Sequence, residues 1–524
     1  RTTKLVQEAR PEFHAHAVMA RVMRWLFLVV GTLLAVVLGL SVLRHAPLLD
    51  ILPLMLILLM SAVPVTLPVM FTVSMAVGSR ELAKKGVLVT RLSAAEDAAT
   101  MDTLCVDKTG TITVNRLAVT QVLPRAPATE ADVLAAAALA SQVADQDPLD
   151  LALLEAARAR RVFAGRPAAV PLSFTPFDAA RRRTEAVVGL GGGRLRVMKG
   201  AVETIAQACG LAPSDIAALA ADASAAALKG HRTVAVAQGP EAGAPVLLGL
   251  VALFDPPRPD AAGLIASLRG LGVAVKLLTG DALAAAAETA AGLGLPKIRR
   301  MADVKAASDQ GALAMLRESD GFAEVYPEDK FLFVKRLQAG GHVTGMTGDG
   351  VNDAPALRQA EVGIAVSSAT DVAKAAASVV LTEAGLANIV ALVMQGRTIY
   401  QRILTYIVNK ISRTVLKTAF VAIAFVATGK FVLSAFAMLL LVFITDFAKI
   451  SLATDRVRPS KRPETWNIGP LIAVSGALGA AMAGEALLLL WACWGRFGLA
   501  GAPDSLCSAS FLILLYFAAF SILS

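Results

Sequence analysis

Cys105-Val106-Asp107-Lys108-Thr109-Gly110-Thr111-Ile112-Thr113 is the stretch from which the fold of this chain can be read. The apolar run Asp102–Val106 predicts a short buried strand, and it delivers a carboxylate into a glycine-containing turn rich in hydroxyls. An Asp in that place, ringed by backbone N–H groups, is positioned to attack a phosphoryl group. Carboxylates are weak nucleophiles in water, so positioning and charge neutralisation by a metal have to supply most of the catalysis.

Two further strands end in the same manner. Val273–Leu278 runs into Thr279-Gly280-Asp281, whose hydroxyl and N–H groups suit phosphate oxygens. His342–Met346 runs into Thr347-Gly348-Asp349-Gly350-Val351-Asn352-Asp353-Ala354-Pro355. There, two carboxylates and an amide on a glycine-rich turn are expected to hold one Mg²⁺, which prefers oxygen ligands. Lys330, in Pro327-Glu328-Asp329-Lys330, is expected to neutralise the same charge. Short strands with acidic turns at their carboxyl ends predict an open parallel α/β sheet with its ligands gathered there. Between Val119 and about Leu250 the pattern changes to hairpin-like pieces (Thr184–Val188, Arg194–Met198) and Ala-rich helices, which predicts an inserted domain. Asp255-Pro256-Pro257-Arg258 marks the return from it.

The rest of the chain is apolar. Of its 524 residues 56% are hydrophobic, and a mean hydropathy of +0.62 predicts membrane segments. Six runs stand out: Trp25–Leu43, Ile51–Val77, Ile403–Ala427, Phe431–Thr454, Gly469–Trp494 and Ala509–Ser524. Basic residues cluster on one side of them, at Arg21, Arg24, Arg80, Lys84, Lys85, Arg397, Arg402, Arg456, Arg458, Lys461 and Arg462, while the loop Arg44–Asp50 and the turn Thr428–Lys430 carry few charges. That side is expected to be the cytoplasm, and these flanks account for the net charge of +9 without nucleic acid as a partner. The four cysteines are widely spaced and form no metal-ligand pair.

Taken in order, the Asp107, Thr279 and Asp349 motifs resemble the P-type ATPase family, and the resemblance covers essentially the whole chain. It implies a multi-domain membrane protein: a transmembrane helical bundle, a cytoplasmic haloacid-dehalogenase-like α/β phosphorylation domain, and an inserted α+β nucleotide-binding domain. The implied boundaries are 1–78 and 391–524 for the membrane helices (family segments 3 and 4, then 5 to 8), 79–118 with 251–390 for phosphorylation, and 119–250 for nucleotide. Asp107 would become the aspartyl phosphate within the Asp107-Lys108-Thr109 turn. Thr109, Thr279, Gly280, Asp281 and Lys330 would surround the phosphate. Asp349, with Asn352 and Asp353, would complete a Mg²⁺ site shared with Asp107 and Thr109.

Phe174-Thr175-Pro176-Phe177-Asp178, then Lys199-Gly200-Ala201 and Arg232, resembles the family's ATP site. Phe177 would stack on adenine, with Lys199, Gly200 and Arg232 near the nucleotide and Arg182 among the three arginines (181–183) that could face it. Soluble phosphatases of the haloacid-dehalogenase type are the alternative class. They carry a second Asp two residues after the nucleophile, where this chain has Thr109, so a long-lived phosphoenzyme is expected. The family's actuator domain, with its Thr-Gly-Glu motif, has no counterpart in the sequence. The chain is therefore expected to be a fragment that needs that domain as a partner, with its last segment cut.

Pro64-Val65-Thr66-Leu67-Pro68 interrupts the second run, where two prolines withhold N–H groups and are expected to expose carbonyl oxygens. Val65 and Thr66 stand where other members of the family carry Glu or Cys, and this resembles the plasma-membrane proton pumps. Lys410, Arg413 and Lys417 form one stripe in the third run of the sequence, and Asp446 and Lys449 lie in the next. At ~1.5 Å per residue, Arg413 lies about 15 Å and Asp446 about 12 Å from the cytoplasmic ends, so they are expected to pair. A carboxylate desolvated in one state and beside a cation in another would bind and release a proton. Proton export from the cytoplasm is thus the expected activity, with Asp446 as carrier and Arg413 or Lys417 resetting it. Transport of another cation such as Mg²⁺ is the alternative. Glu485, in the fifth run, is expected to make a helix contact or sit at the lipid interface.

Overall fold

A computed structural model of the chain describes residues 14–43, 52–53, 55–59, 66–114, 116–144, 147–178, 181–190, 193–228, 230–383 and 387–523. The acidic-turn strands lie in an eight-stranded sheet, in the order Val87–Val89, Val379–Leu381, Val362–Ala365, Thr344–Gly348, Thr103–Asp107, Ala274–Leu278, Gly321–Ala323, Ile298–Arg300. All neighbours are parallel except the edge pair Val87–Val89 with Val379–Leu381. Every residue of Thr103–Asp107 is buried, as a central strand covered on both faces requires. Two of the predicted strands end later than expected: Asp107 is itself the last strand residue, and the third strand runs to Gly348 rather than Met346.

A second sheet covers 118–254. Its six antiparallel strands follow the order Ala118–Pro124, Val246–Phe254, Arg232–Pro240, Gly193–Gly200, Arg183–Leu190, Val170–Asp178. Helices Glu130–Leu139 and Pro148–Ala159 pack Val133, Leu134 and Leu153 against it. Asp147 caps the second helix by accepting the N–H groups of Leu149 and Asp150.

Among the described residues five helices are long and apolar enough to cross a membrane: Met19–Gly39, Ala387–Thr428, Ala435–Thr454, Ile468–Gly495 and Pro503–Ile522. The second run predicted from sequence lies partly outside the described residues, as do Pro64 and the carbonyls expected to be freed there. Helix Leu67–Ala83 is described, with Pro68 in its first turn, where a missing N–H costs nothing. The expected span Ile403–Ala427 is only the distal part of one 42-residue helix, Ala387–Thr428. At 1.5 Å per residue that helix is ~63 Å long, about twice the thickness of a hydrocarbon core, so half of it suffices to cross one. Its first part packs on helix Ser93–Thr100, which leads into the Asp107 strand. The two helices touch at Gly396, where an added Cβ would lie 2.7 Å from Ala95 O and 2.9 Å from Ala99 N.

Candidate functional site

Strand register brings the three predicted turns to one edge of the parallel sheet. Asp107 stands opposite Leu278, and Cys105 opposite Met346, so Thr279 and the Thr347–Asp349 turn flank Asp107. The Asp107 N–H donates to Thr347 Oγ1 at 3.2 Å. Lys330, in the first turns of helix Pro327–Ala339, donates from Nζ to Asp107 Oδ2 and to Asp353 Oδ1, both at 2.7 Å.

Burial pushes the Asp107 carboxyl up to about 7; Lys330 opposes this, while the charges of Asp353 and Asp349 add to it. Burial works against the Lys330 ammonium, yet Asp107 and Asp353 outweigh it and raise its pKa. Asp349 is raised as well, by burial first and by Asp353 second. Three carboxylates thus crowd one ammonium, an arrangement that attracts a further cation. One oxygen each from Asp107, Asp349 and Asp353 lie within 4.8 Å of one another, and hard oxygen donors of this kind suit Mg²⁺.

Asp353 has a second task, since its Oδ2 accepts the N–H groups of Asp349 (3.2 Å) and Gly350 (3.1 Å) and so fixes the turn. Asp107 and Asp349 are left as the more open pair for an ion. Gly110 makes the approach possible: its φ is +70°, and a Cβ there would lie 2.5 Å from Asp349 Oδ2.

The other predicted residues are distributed around this centre. Thr279 is buried, with Oγ1 accepting the Asp281 N–H at 3.2 Å. Lys108 turns away from Asp107 to pair with Asp281 at 2.7 Å. Thr109, Gly280 and Asn352 are exposed along the rim. Thr347 was not singled out as a site residue, and only its place in the same motif could have signalled it.

In the second sheet, Phe177, Lys199, Gly200 and Arg232 line one cavity of about 240 Å³ together with Asp147, Asp150 and Thr184. Phe177 offers its ring to that space and is 61% exposed. Lys199 is held by Asp150 Oδ1 (2.7 Å), Ala140 O (2.6 Å) and Ser141 Oγ (2.8 Å). Burial lowers its ammonium, with Asp150 opposing. Arg182 lies outside this lining. Its backbone O instead accepts the Ala201 N–H, and a Cβ on Gly200 would stand 2.5 Å from that oxygen, which explains the glycine. A second space of about 340 Å³ shares Leu117, Pro148 and Arg232 with this lining and extends to Arg116 and Asp255 and to Lys108, Thr109 and Asp281, next to Asp107 in the chain or in the same turns.

Within the apolar helices the expected partner of Asp446 is corrected. Lys410 Nζ reaches Asp446 Oδ2 and Lys449 Nζ reaches Oδ1, each at 2.9 Å. Arg413 faces helix Pro503–Leu523 instead, donating from Nε to Ser521 Oγ at 2.8 Å and from its guanidinium to Ala518 O. Lys417 Nζ sits 3.3 Å from Thr445 Oγ1. Thr66 shares a hydrogen bond of 2.6 Å with the Tyr406 hydroxyl.

Residues 101–361 match the family model of haloacid dehalogenase-like hydrolases. Over 486 residues the chain is 34% identical to a protein of Methanocaldococcus jannaschii named "Putative cation-transporting ATPase", an alignment covering 91% of this chain. The chain spans 60% of that relative's length. The matched residues hold the acidic turns of the parallel sheet and the inserted sheet, on a chain that has, among the described residues, five helices long and apolar enough to cross a membrane.

Proposed function

We propose that the chain is the catalytic and membrane core of a P-type ATPase that phosphorylates Asp107 from ATP and exports protons across the plasma membrane. The observation that carries this reading is the placement of Asp107, buried on Lys330 and flanked by Asp349 and Asp353. Lys330 would steady both the attacking carboxylate and the transferring phosphoryl group, and Asp107 and Asp349 would hold Mg²⁺. The ion, when bound, would neutralise charge on the phosphoryl oxygens. ATP would lie with its adenine on Phe177 and its phosphates towards Lys199 and Arg232, the 340 Å³ space leading on to Asp107. Thr109, in the place of a second Asp, leaves no general base beside the phosphoaspartate, so the intermediate would persist, as a transport cycle needs.

One feature favours a proton over a metal ion, and a second links Asp446 to the sheet edge whichever ion is carried. Both Asp446 oxygens already accept from ammonium groups, and a metal would have to displace one of them. The 42-residue helix carrying Lys410 also packs on the helix before Asp107, so a rearrangement at the sheet edge can reach Asp446. In sealed proteoliposomes of the full-length protein, ATP is expected to acidify the lumen with Mg²⁺ present only to serve ATP. ATP hydrolysis without acidification, together with faster phosphorylation on adding another cation, would refute the proton assignment.

Gly110→Ala is expected to slow phosphorylation from ATP on the order of 100-fold, because the new Cβ displaces Asp349 and the turn. Label transferred from the γ-phosphate measures this, with nucleotide affinity unchanged as the control. An unchanged rate would mean that Asp349 does not act at the distance observed.

A further inference from the structure

Helix Ser93–Thr100 buries two adjacent carboxylates, Glu96 and Asp97, each 0% exposed. Glu96 Oε1 accepts from Trp466 Nε1 at 2.9 Å, while Glu96 Oε2 is buried with no partner. Trp466 belongs to the loop 455–467 that joins helices Ala435–Thr454 and Ile468–Gly495. That loop is strapped down at several other points. Glu464 N–H donates to Ala99 O at 3.0 Å. The Tyr400 hydroxyl donates to Thr465 O at 2.9 Å, and its ring lies 4.3 Å from that of Trp466. Gln401 reaches Glu464, and Arg397 and Arg402 reach the backbone oxygens of Ser460 and Asp455. Three parts of the chain therefore meet at Glu96: the helix entering the Asp107 strand, the long membrane helix, and the loop below Asp446.

We propose that Glu96 is a proton-sensing positioning residue, whose neutral form latches the loop 455–467 onto the helix that leads into Asp107. The charge distribution supports this. Facing Glu96 and Asp97 are Glu361 from the sheet side, Glu464 from the loop, the Tyr400 phenol from the long helix, and one nearby cation, Arg91, 3.9 Å from Asp97 Oδ2. Arg397 directs its two terminal nitrogens to Ser460 O and Leu271 O. A neutral Glu96 needs little more than the indole N–H, whereas an ionised one leaves a bare buried oxygen beside other acids.

Burial pushes Glu96 up to about 7, with the Trp466 hydrogen bond opposing. Asp97 is pushed to about 9, by burial first and the Glu96 charge second, and so stays protonated through neutrality. Lifting the loop would return Glu96 to water and to its ordinary value of 4.5. The docked state therefore binds the extra proton: docking strengthens as pH falls from about 7 towards 4.5, and is weakened as pH rises through 7. The latch holds whichever ion is carried. In a proton exporter it would couple the membrane helices to the sheet more firmly as the cytoplasm acidifies.

The test is limited trypsin digestion of the membrane-embedded protein at Arg456 and Lys461, both exposed in the loop, because cleavage requires the strap to leave its seat. Glu96→Gln mimics the neutral acid and divides out trypsin's own pH dependence. The wild-type rate relative to Glu96→Gln is expected to rise about tenfold between pH 6 and pH 8. Should Glu96→Gln fail to fold, the Trp466 fluorescence, taken as wild type minus Trp466→Phe, is expected to titrate with a midpoint near pH 7. Asp97→Asn should keep the pH response. A flat ratio, no fluorescence transition, or a response abolished by Asp97→Asn but kept in Glu96→Gln would each overturn the proposal. None of these readouts involves ATP or transport, so they stand or fall apart from the proposed activity.

Discussion

Asp107→Asn is expected to abolish the acid-stable, hydroxylamine-sensitive phosphoenzyme while leaving ATP binding intact and thermal stability equal or higher. Asn has nearly the same volume as Asp and keeps a carbonyl oxygen for the Lys330 ammonium, now 2.7 Å from Asp107 Oδ2. It lacks the charge and lone-pair reactivity that a nucleophilic carboxylate supplies. Stability should not fall, because Asp107, Asp349 and Asp353 each place an oxygen within 4.8 Å of the others, and the charges of Asp353 and Asp349 act against an ionised Asp107. Lys330 keeps Asp353 as its partner at 2.7 Å. The cavity proposed for ATP lies on the other sheet, and its lining does not include position 107. Acid-quenched labelling from ATP and binding of a fluorescent ATP analogue measure the two halves of the prediction. Label that persists in Asp107→Asn and is released by hydroxylamine would transfer the nucleophile to Asp349 or Asp353.

The parallel sheet and its site were legible because the information is local. Each of three strands delivers its acidic turn within a few residues, and a parallel sheet stacks carboxyl ends on one edge. Partners distant in sequence were not legible. Lys199 and Asp150 are joined at 2.7 Å across the inserted domain, and no spacing rule links them. The long helix was read too short because hydropathy registers only its apolar part, whereas 387–402 is amphipathic and continues the helix without a break.

The pairing of Asp446 was missed for a different reason. Depth along a helix was used to match it with Arg413, but depth says nothing about direction. At 3.6 residues per turn, Lys410 and Arg413 point about 60° apart. That rotation suffices to send Lys410 to Asp446 and Arg413 to Ser521. Lys449 is the i+3 neighbour of Asp446, and that spacing is the sequence signal for its pairing.

That pairing makes Asp446→Asn the second large effect. Asp446 is 2% exposed, and both its oxygens accept from ammonium groups that are themselves 4% and 0% exposed, Lys410 and Lys449. Lys417 and Arg413 are buried close by. Removing this carboxylate breaks both buried ion pairs and takes from Lys449 the counter-charge it has at 2.9 Å, and breaking one buried pair already costs about 3–5 kcal/mol. Asp446→Asn is therefore expected to lower the temperature at which the detergent-solubilised protein aggregates, as well as to stop transport. Lys449→Met should be milder, because Asp446 keeps Lys410. The double variant Asp446→Asn/Lys449→Met should recover part of the loss, since it also removes the Lys449 ammonium that had paired with Asp446. Heating followed by size-exclusion chromatography measures the series. If Asp446→Asn is as heat-resistant as wild type and the double variant is no better, the two ion pairs contribute nothing to stability. Loss of transport in Asp446→Asn could then be ascribed to the carboxylate's part in carrying the ion. If the series behaves as expected, transport assays on Asp446→Asn alone confuse folding with function, and the double variant becomes the one in which to ask whether Asp446 carries the proton.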